Sequence, residues 1–310
     1  MKGSIYLKLL GFSLMTGATF HLARYVMQYF SAAGAAGWRF GLAAGSMLLL
    51  LISKEKLSGY TIRKNAGAYL FMGVTGLFGF NTLFFLGMEQ TTPVNGALIM
   101  ATNPLVTMLL ARVLLKEPVS RQQKVGGILA LVGVVLVITG GSWDAIRHLH
   151  FSSGDMLIMA GNICWALYGI IGKGFVRDST SLQTTAYTMT IGAVMLVFIA
   201  SRTPAPVPNS SIPLTAWAAI VFMALGMSVL GYIWWNEGAA RIGIGRAALF
   251  FNLVPVVTLC ISLALGMAVT GIQIIGSVLV IAGVLYASGM THIVSQRKPM
   301  QNTPKSERTV

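Results

Sequence analysis

Apolar runs of membrane-spanning length recur along almost the whole chain, and no other feature restricts its fold as strongly. They fall at roughly 4–25, 32–52, 67–88, 94–114, 125–141, 154–175, 183–201, 212–236, 245–269 and 271–292. Each is long enough for a helix crossing a hydrocarbon core, which takes about 20 apolar residues. The links between them hold the turn and breaker residues: Ser31, Gly34, Ser58-Gly59, Thr92-Pro93, Pro118, Gly140-Gly141 and the run from Pro204 to Pro213. Only 10% of the 310 residues are charged, where a soluble domain carries roughly 25%. Ten helices with short links use up the length, so the expected fold is an all-α membrane protein of ten transmembrane helices.

The charges give this bundle an orientation. A net charge of +14 would point to nucleic acid in a soluble protein. In a membrane protein it reads instead as Lys and Arg gathered in cytoplasmic loops, with no nucleic-acid partner. With the N-terminus inside, 18 of the 22 Lys and Arg fall on the cytoplasmic side, and Arg24, Arg39, Arg147 and Arg202 remain outside. Both termini are therefore expected in the cytoplasm of a multi-pass protein of the bacterial inner membrane type. The first apolar run outlasts a signal-peptide core and has no small-residue cleavage site, so it reads as the first membrane helix. Residues 294–310 are polar and basic and read as a disordered cytoplasmic tail.

The sequence also repeats. Residues 79–117, GFNTLFFLGMEQTTPVNGALIMATNPLVTMLLARVLLKE, are echoed by residues 231–267, GYIWWNEGAARIGIGRAALFFNLVPVVTLCISLALGM. Each holds a pair of apolar helices, the second interrupted by Pro104 or Pro255, which lie 151 positions apart. Ser13, Thr16, Gly17 and Arg24 correspond to Asn162, Trp165, Ala166 and Lys173, each 149 positions later, and Gly126 and Gly133 to Gly276 and Gly283, 150 later. Five helices per half means that the second half enters the membrane from the opposite side, so residues 1–146 and 147–293 form two inverted repeats. Duplicated halves with mid-helix prolines point to a membrane transporter.

Trp38-Arg39-Phe40, Asn103-Pro104, Leu115-Lys116-Glu117 and Trp165-Ala166 carry a resemblance over nearly the whole chain. On these residues the sequence resembles the EamA family of the drug/metabolite transporter superfamily, whose members have ten helices in two inverted five-helix repeats. The resemblance implies an exporter of amino acids, related metabolites or drugs. The chain departs from the family pattern at Thr16-Gly17, where a Trp-Gly pair is usual, at Tyr187-Thr188, where the first half has Trp-Arg, and at Met267, where a second helix-end Glu would fall.

Ionisable and amide side chains inside such helices mark cavities or partners. Ser13, Gly17, His21 and Arg24 share one face of the first helix. His21 is a candidate for solute binding and for proton coupling, since its ordinary pKa lies near 6.5; the alternative is a histidine held between helices. Asn162, Trp165, Tyr168 and Lys173 stripe the sixth helix, and Trp165 and Tyr168 suit a wall for amphipathic cargo. Lys173 itself reads as a snorkelling charge at the helix end.

Asn81, Asn103, Trp234 and Asn252 complete the expected solute-binding set. Of Trp234 and Trp235 at most one can line a cavity. Pro104 and Pro255 are candidate hinges, because proline removes a backbone donor and frees a carbonyl one turn earlier. Glu89 and Glu237, near helix ends, are candidate gates or proton sites, and Arg39 reads as a partner for Glu89 or for headgroups. Cys164 and Cys260 read as small core residues, without a disulfide or metal role.

No Gly-x-x-x-x-Gly-Lys-Ser/Thr loop is present, nor a His-Glu-x-x-His motif, and Asp144, Asp155 and Asp178 fall at or beyond helix ends. The expectation is therefore a secondary transporter without cofactor or metal, meeting a small solute, membrane lipid and in one variant protons. A channel or facilitative pore is the nearest alternative, and an intramembrane enzyme a distant one.

Overall fold

The computed structural model describes residues 2–288 apart from 56, 89, 92, 148–151, 205, 209 and 210, and at 2, 3, 20, 88, 93–95, 97, 145 and 146 the backbone alone. Expectations placed on Glu89, Lys56 and the 294–310 tail lie outside the described residues. Among the described residues all regular structure is helical. In chain order the helices are α1 (Lys2–Val26), α2 (Ala32–Lys54), a three-part α3 (Gly59–Met72, Gly73–Gly79, Phe80–Met88) and a two-part α4 (Pro93–Ala101, Asn103–Leu114). There follow α5 (Arg121–Thr139), a short helix over Trp143–Arg147, α6 (Ser153–Gly174), α7 (Ser181–Arg202) and a three-part α8 (Leu214–Phe222, Met223–Gly231, Tyr232–Ile242). A three-part α9 (Ile244–Ala248, Leu249–Asn252, Leu253–Ala264) and α10 (Gly271–Ser288) close the chain. Eight of these, α2, α3 and α5 to α10, are long and apolar enough to cross a membrane.

Polar first turns explain where hydropathy misplaces the boundaries. The α3 helix begins at Gly59 and not at 67, because the Ser58 side chain accepts from the Thr61 backbone N–H and caps a turn carrying Tyr60, Arg63 and Lys64. Ser120 with Gln123, Ser152 with Asp155 and Thr180 with Gln183 form capping boxes that start α5, α6 and α7. The α9 helix ends at Ala264, short of the expected 269, with Gly266 following at φ +80°.

The interior irregularities recur at equal spacing. The central segments of α3 and α8 are π-helical and begin at Gly73 and Met223, 150 positions apart. The α4 helix breaks at Thr102, just before Asn103-Pro104, and α9 narrows to a 3₁₀ turn over Leu249–Asn252 just before Pro255.

Glycine seams hold the helices together. A Cβ on Gly126 would lie 2.5 Å from the Gly283 carbonyl oxygen, and one on Gly133 2.6 Å from that of Gly276. The α5 and α10 helices therefore cross antiparallel with backbones in contact, as small residues permit. The outer surface is apolar, with Leu7, Leu49, Phe198, Val194 and Ile275 exposed. Cys260 belongs to this outer surface and not to the core, whereas Cys164 is half-buried.

Candidate functional site

The centre of the bundle is a cluster of aromatic rings. Trp165 on α6 stacks on Tyr168 at 5.5 Å between centroids. Its ring also meets Phe80 of α3, Tyr232 and Trp235 of α8, and Phe251 of α9 at 5.3–5.6 Å. Phe12 of α1 closes the far side against Trp235 at 5.1 Å and Phe251 at 5.2 Å. Local sequence explains the convergence: Trp165 and Tyr168, like Tyr232 and Trp235, are three residues apart and share a helix face. Trp165 and Trp235 are each 1% exposed.

Polar atoms in this core are unequally satisfied. Trp165 Nε1, Trp235 Nε1 and Asn252 Oδ1 are enclosed and have no hydrogen-bond partner among the described residues. An orphaned buried donor or acceptor costs about 1–3 kcal/mol. Asn103 and Asn162, by contrast, form an amide clamp at the α4 break. Asn103 Nδ2 donates to Asn162 Oδ1 at 2.5 Å, and Asn162 Nδ2 donates to the Ile99 carbonyl at 2.9 Å and to Thr102 Oγ1 at 3.1 Å. Positions 13 and 252 correspond to 162 and 103, but Ser13 is too short to repeat the clamp. Its hydroxyl instead donates to the Phe250 carbonyl at 2.8 Å, leaving the Asn252 carboxamide alone.

Below the rings, Asn236 Nδ2 donates to Tyr168 Oη at 2.8 Å and to Thr185 Oγ1 at 2.9 Å. Asn236 also borders a polar cleft of about 170 Å³, lined with Lys173, Ser181 and Thr184, at one end of α6, α7 and α8. Lys173 reaches across this cleft, its Nζ donating to the Ala240 carbonyl at 2.8 Å. Asn236 and Tyr168 thus form a hydrogen-bonded floor between cleft and rings.

Several sequence candidates stand elsewhere. His21 lies on the seam between α1 and α9, its Nε2 3.1 Å from the Thr258 carbonyl oxygen, so the stripe from Ser13 to His21 is a packing face. Asn81 donates to the Leu77 carbonyl within α3 and borders a separate cleft with Ser31, Phe85 and Thr203. Trp235 joins the rings, whereas Trp234 lies against Gly11 of α1. Glu237 is engaged by Lys8 at 2.5 Å and Arg241 at 3.1 Å, tying α1 to α8. Pro104 follows the break in α4, and Pro255 follows the 3₁₀ turn of α9.

Arg39 turns inward, its Nε donating to Ser228 Oγ at 2.9 Å, and not outward to headgroups. Phe12, Phe80, Tyr232 and Phe251 escaped sequence reasoning. For Tyr232 and Trp235 the three-residue spacing was a usable signal, but single phenylalanines in apolar helices offer none.

Known proteins share this architecture. A solved crystal structure aligns with a TM-score of 0.76 over 93% of this chain and 98% of its own, at 18% identity. A Bacillus subtilis protein named as the uncharacterized transporter YyaM is 54% identical over 290 residues, which cover 94% of this chain and 95% of that protein. A probable terminal-alkyne amino-acid exporter of Streptantibioticus cattleyicolor is 26% identical over 71% of this chain and 72% of its own length. A probable amino-acid metabolite efflux pump of Salmonella typhimurium is 28% identical over 68% and 73%. The EamA-like transporter family model matches residues 3–139 and again residues 152–289. With its series of apolar helices, the chain is a multi-pass membrane protein and belongs to the EamA-like transporter family.

Proposed function

We propose that the chain is a secondary transporter that takes a small amphipathic solute at the aromatic cluster and moves it across a bacterial inner membrane by alternating access. The observation that carries this is the set of enclosed atoms at the rings and beside them that have no partner among the described residues: Trp165 Nε1, Trp235 Nε1 and Asn252 Oδ1. A bound solute that accepts from the indoles and donates to the amide would remove that penalty, while the rings supply apolar contact. The carrier would be ten spans in two inverted five-helix halves, residues 1–146 and 147–293. The equal spacing of the π segments, the paired breaks and the double family match support that arrangement.

In this reading the Asn236–Tyr168 floor parts to admit solute from the cleft beside Lys173, and the breaks at Pro104 and Pro255 act as hinges. The positive charge at that end supports a cytoplasmic location for it and for both termini. Export of an amino-acid-like or aromatic metabolite, or of a drug, is supported by the names of the exporter and efflux-pump relatives. Protons would enter through His21, Glu89 or Glu237. Because Glu237 is held by two cations and His21 by a carbonyl, facilitated efflux is the simpler form.

Efflux of labelled amino acids and aromatic metabolites from proteoliposomes tests the reading, with and without an imposed pH gradient. Saturable efflux, with KM raised in Trp165→Phe and Trp235→Phe, is expected. Unsaturable flux would favour a pore. A gradient effect lost in His21→Gln would add proton coupling through that residue.

A further inference from the structure

The aromatic cluster continues into a positive charge, Arg39, that has no ion-pair partner among the described residues. Arg39 lies two turns into α2, about 10 Å from its start at 1.5 Å per residue. Its Nε is used by Ser228, a residue with 0% exposure, so the side chain runs toward the interior and away from lipid. The guanidinium lies over the Phe40 ring, 5.0 Å from its centroid. Among the described residues no carboxylate lies within 4.0 Å of it, and its terminal nitrogens make no hydrogen bond to any of them.

The described acids near other cations are committed: Glu237 to Lys8 and Arg241, and Asp178 to Lys64. Tyr232 stands between this charge and the rings. Its ring is 5.3 Å from Trp165 and 6.5 Å from Phe40, the ring beneath the Arg39 guanidinium, and its hydroxyl has no hydrogen-bond partner among the described residues. The region therefore offers donors in excess: the Arg39 fork, the Tyr232 hydroxyl and two indole N–H groups. A guanidinium inside a membrane helix with no carboxylate partner among the described residues is expensive, and its planar fork fits a carboxylate.

We propose that Arg39, with Tyr232 beside it, is the subsite that takes the carboxylate of the solute, so that the cargo is an amphipathic carboxylate with an aromatic or apolar body. This rests on the carrier reading of the cluster and narrows its substrate class. The body packs among Trp165, Trp235 and Phe251, and the carboxylate sits in the Arg39 fork. Cationic amines without a carboxylate are rejected, because they would leave the guanidinium facing a like charge.

The test uses the full chain in dodecyl maltoside with four probes: phenylalanine, phenylacetate, phenylacetamide and phenethylamine. Binding is read from quenching of tryptophan fluorescence and from the shift in Tm. Phenylalanine and phenylacetate are expected to bind at least about tenfold more tightly than the amide and the amine, the scale of a hydrogen bond to a charged group. Arg39→Gln should weaken the two carboxylates about tenfold or more, and Arg39→Lys should recover part of that loss. Tyr232→Phe, which keeps the ring, should weaken the carboxylates alone by a few-fold.

A loss of carboxylate binding in Glu89→Gln equal to that in Arg39→Gln would make Glu89 the partner of Arg39 and overturn the proposal. Equal binding of the amide, no binding of any probe, or carboxylate affinity unchanged in Arg39→Gln overturns it too. Counterflow in proteoliposomes separates the two readings. Arg39-dependent carboxylate binding without counterflow defeats the carrier and keeps the subsite. Saturable phenethylamine transport indifferent to Arg39 keeps the carrier and defeats the subsite.

Discussion

At the scale of single residues, the contrast between Asn162 and Asn252 separates structural from functional polarity. Asn162 closes the break in α4 through Ile99, Thr102 and Asn103, so Asn162→Ala should cost about 1–3 kcal/mol and lower Tm in detergent. Adding Asn103→Ala should cost less than the sum of the single changes, because the partners are shared. Asn252 has nothing to lose: Asn252→Leu should keep or raise Tm while reducing efflux. A fall in Tm as large as that of Asn162→Ala would contradict this. At the surface, Lys64 holds the Asp178 carboxyl below its ordinary 3.8, chiefly through their hydrogen bond. A lowered folded pKa means that the pair's contribution is present at neutral pH and fades as pH drops below about 4. The Tm difference between the wild-type chain and Asp178→Asn should shrink over that range, and the fully exposed site keeps the difference small.

At the scale of helices, the glycine seam and the prolines make opposite demands. Where α5 and α10 cross, Gly133→Val would push a side chain into the Gly276 carbonyl, and overpacking of this kind costs about 1–3 kcal/mol or more. Gly45→Ala on α2, where a Cβ meets nothing within 4 Å, should be neutral or slightly stabilising. Comparing the two by Tm separates close packing from a general intolerance of glycine replacement. For the prolines, Pro255→Ala returns a backbone donor to α9. If the break is a hinge, efflux should slow while the dissociation constant stays within about twofold; equal rates would leave a static kink.

At the scale of the molecule, the expected orientation is tested by cysteine labelling in a chain with Cys164 and Cys260 replaced by Ser. Asp144→Cys, in the exposed helix Trp143–Arg147 after α5, should react with an impermeant maleimide on intact cells. Ser58→Cys, before α3, should react only after permeabilisation. The reverse pattern would invert the bundle and move the Lys173 cleft to the outside.

Helical class and family were legible in the residues, because hydropathy and helical period are local properties written along one chain; Trp165, Tyr168 and Asn252, marked there as solute-binding candidates, are buried in the structure. Helix starts were less legible, since capped polar turns such as that at Ser58 carry no hydropathy. The identity of the cluster was not legible. Phe12, Phe80, Tyr232 and Phe251 come from four helices, and what brings their rings to Trp165 is packing between those helices, with Gly17 of α1 against Val257 of α9 and Gly76 of α3 against Tyr168 of α6. The choice of Trp235 over Trp234, the inward turn of Arg39 onto Ser228 and the contact of His21 with Thr258 in a seam have the same origin. Periodicity names the face of a helix; which neighbour that face meets depends on packing between segments far apart in the chain.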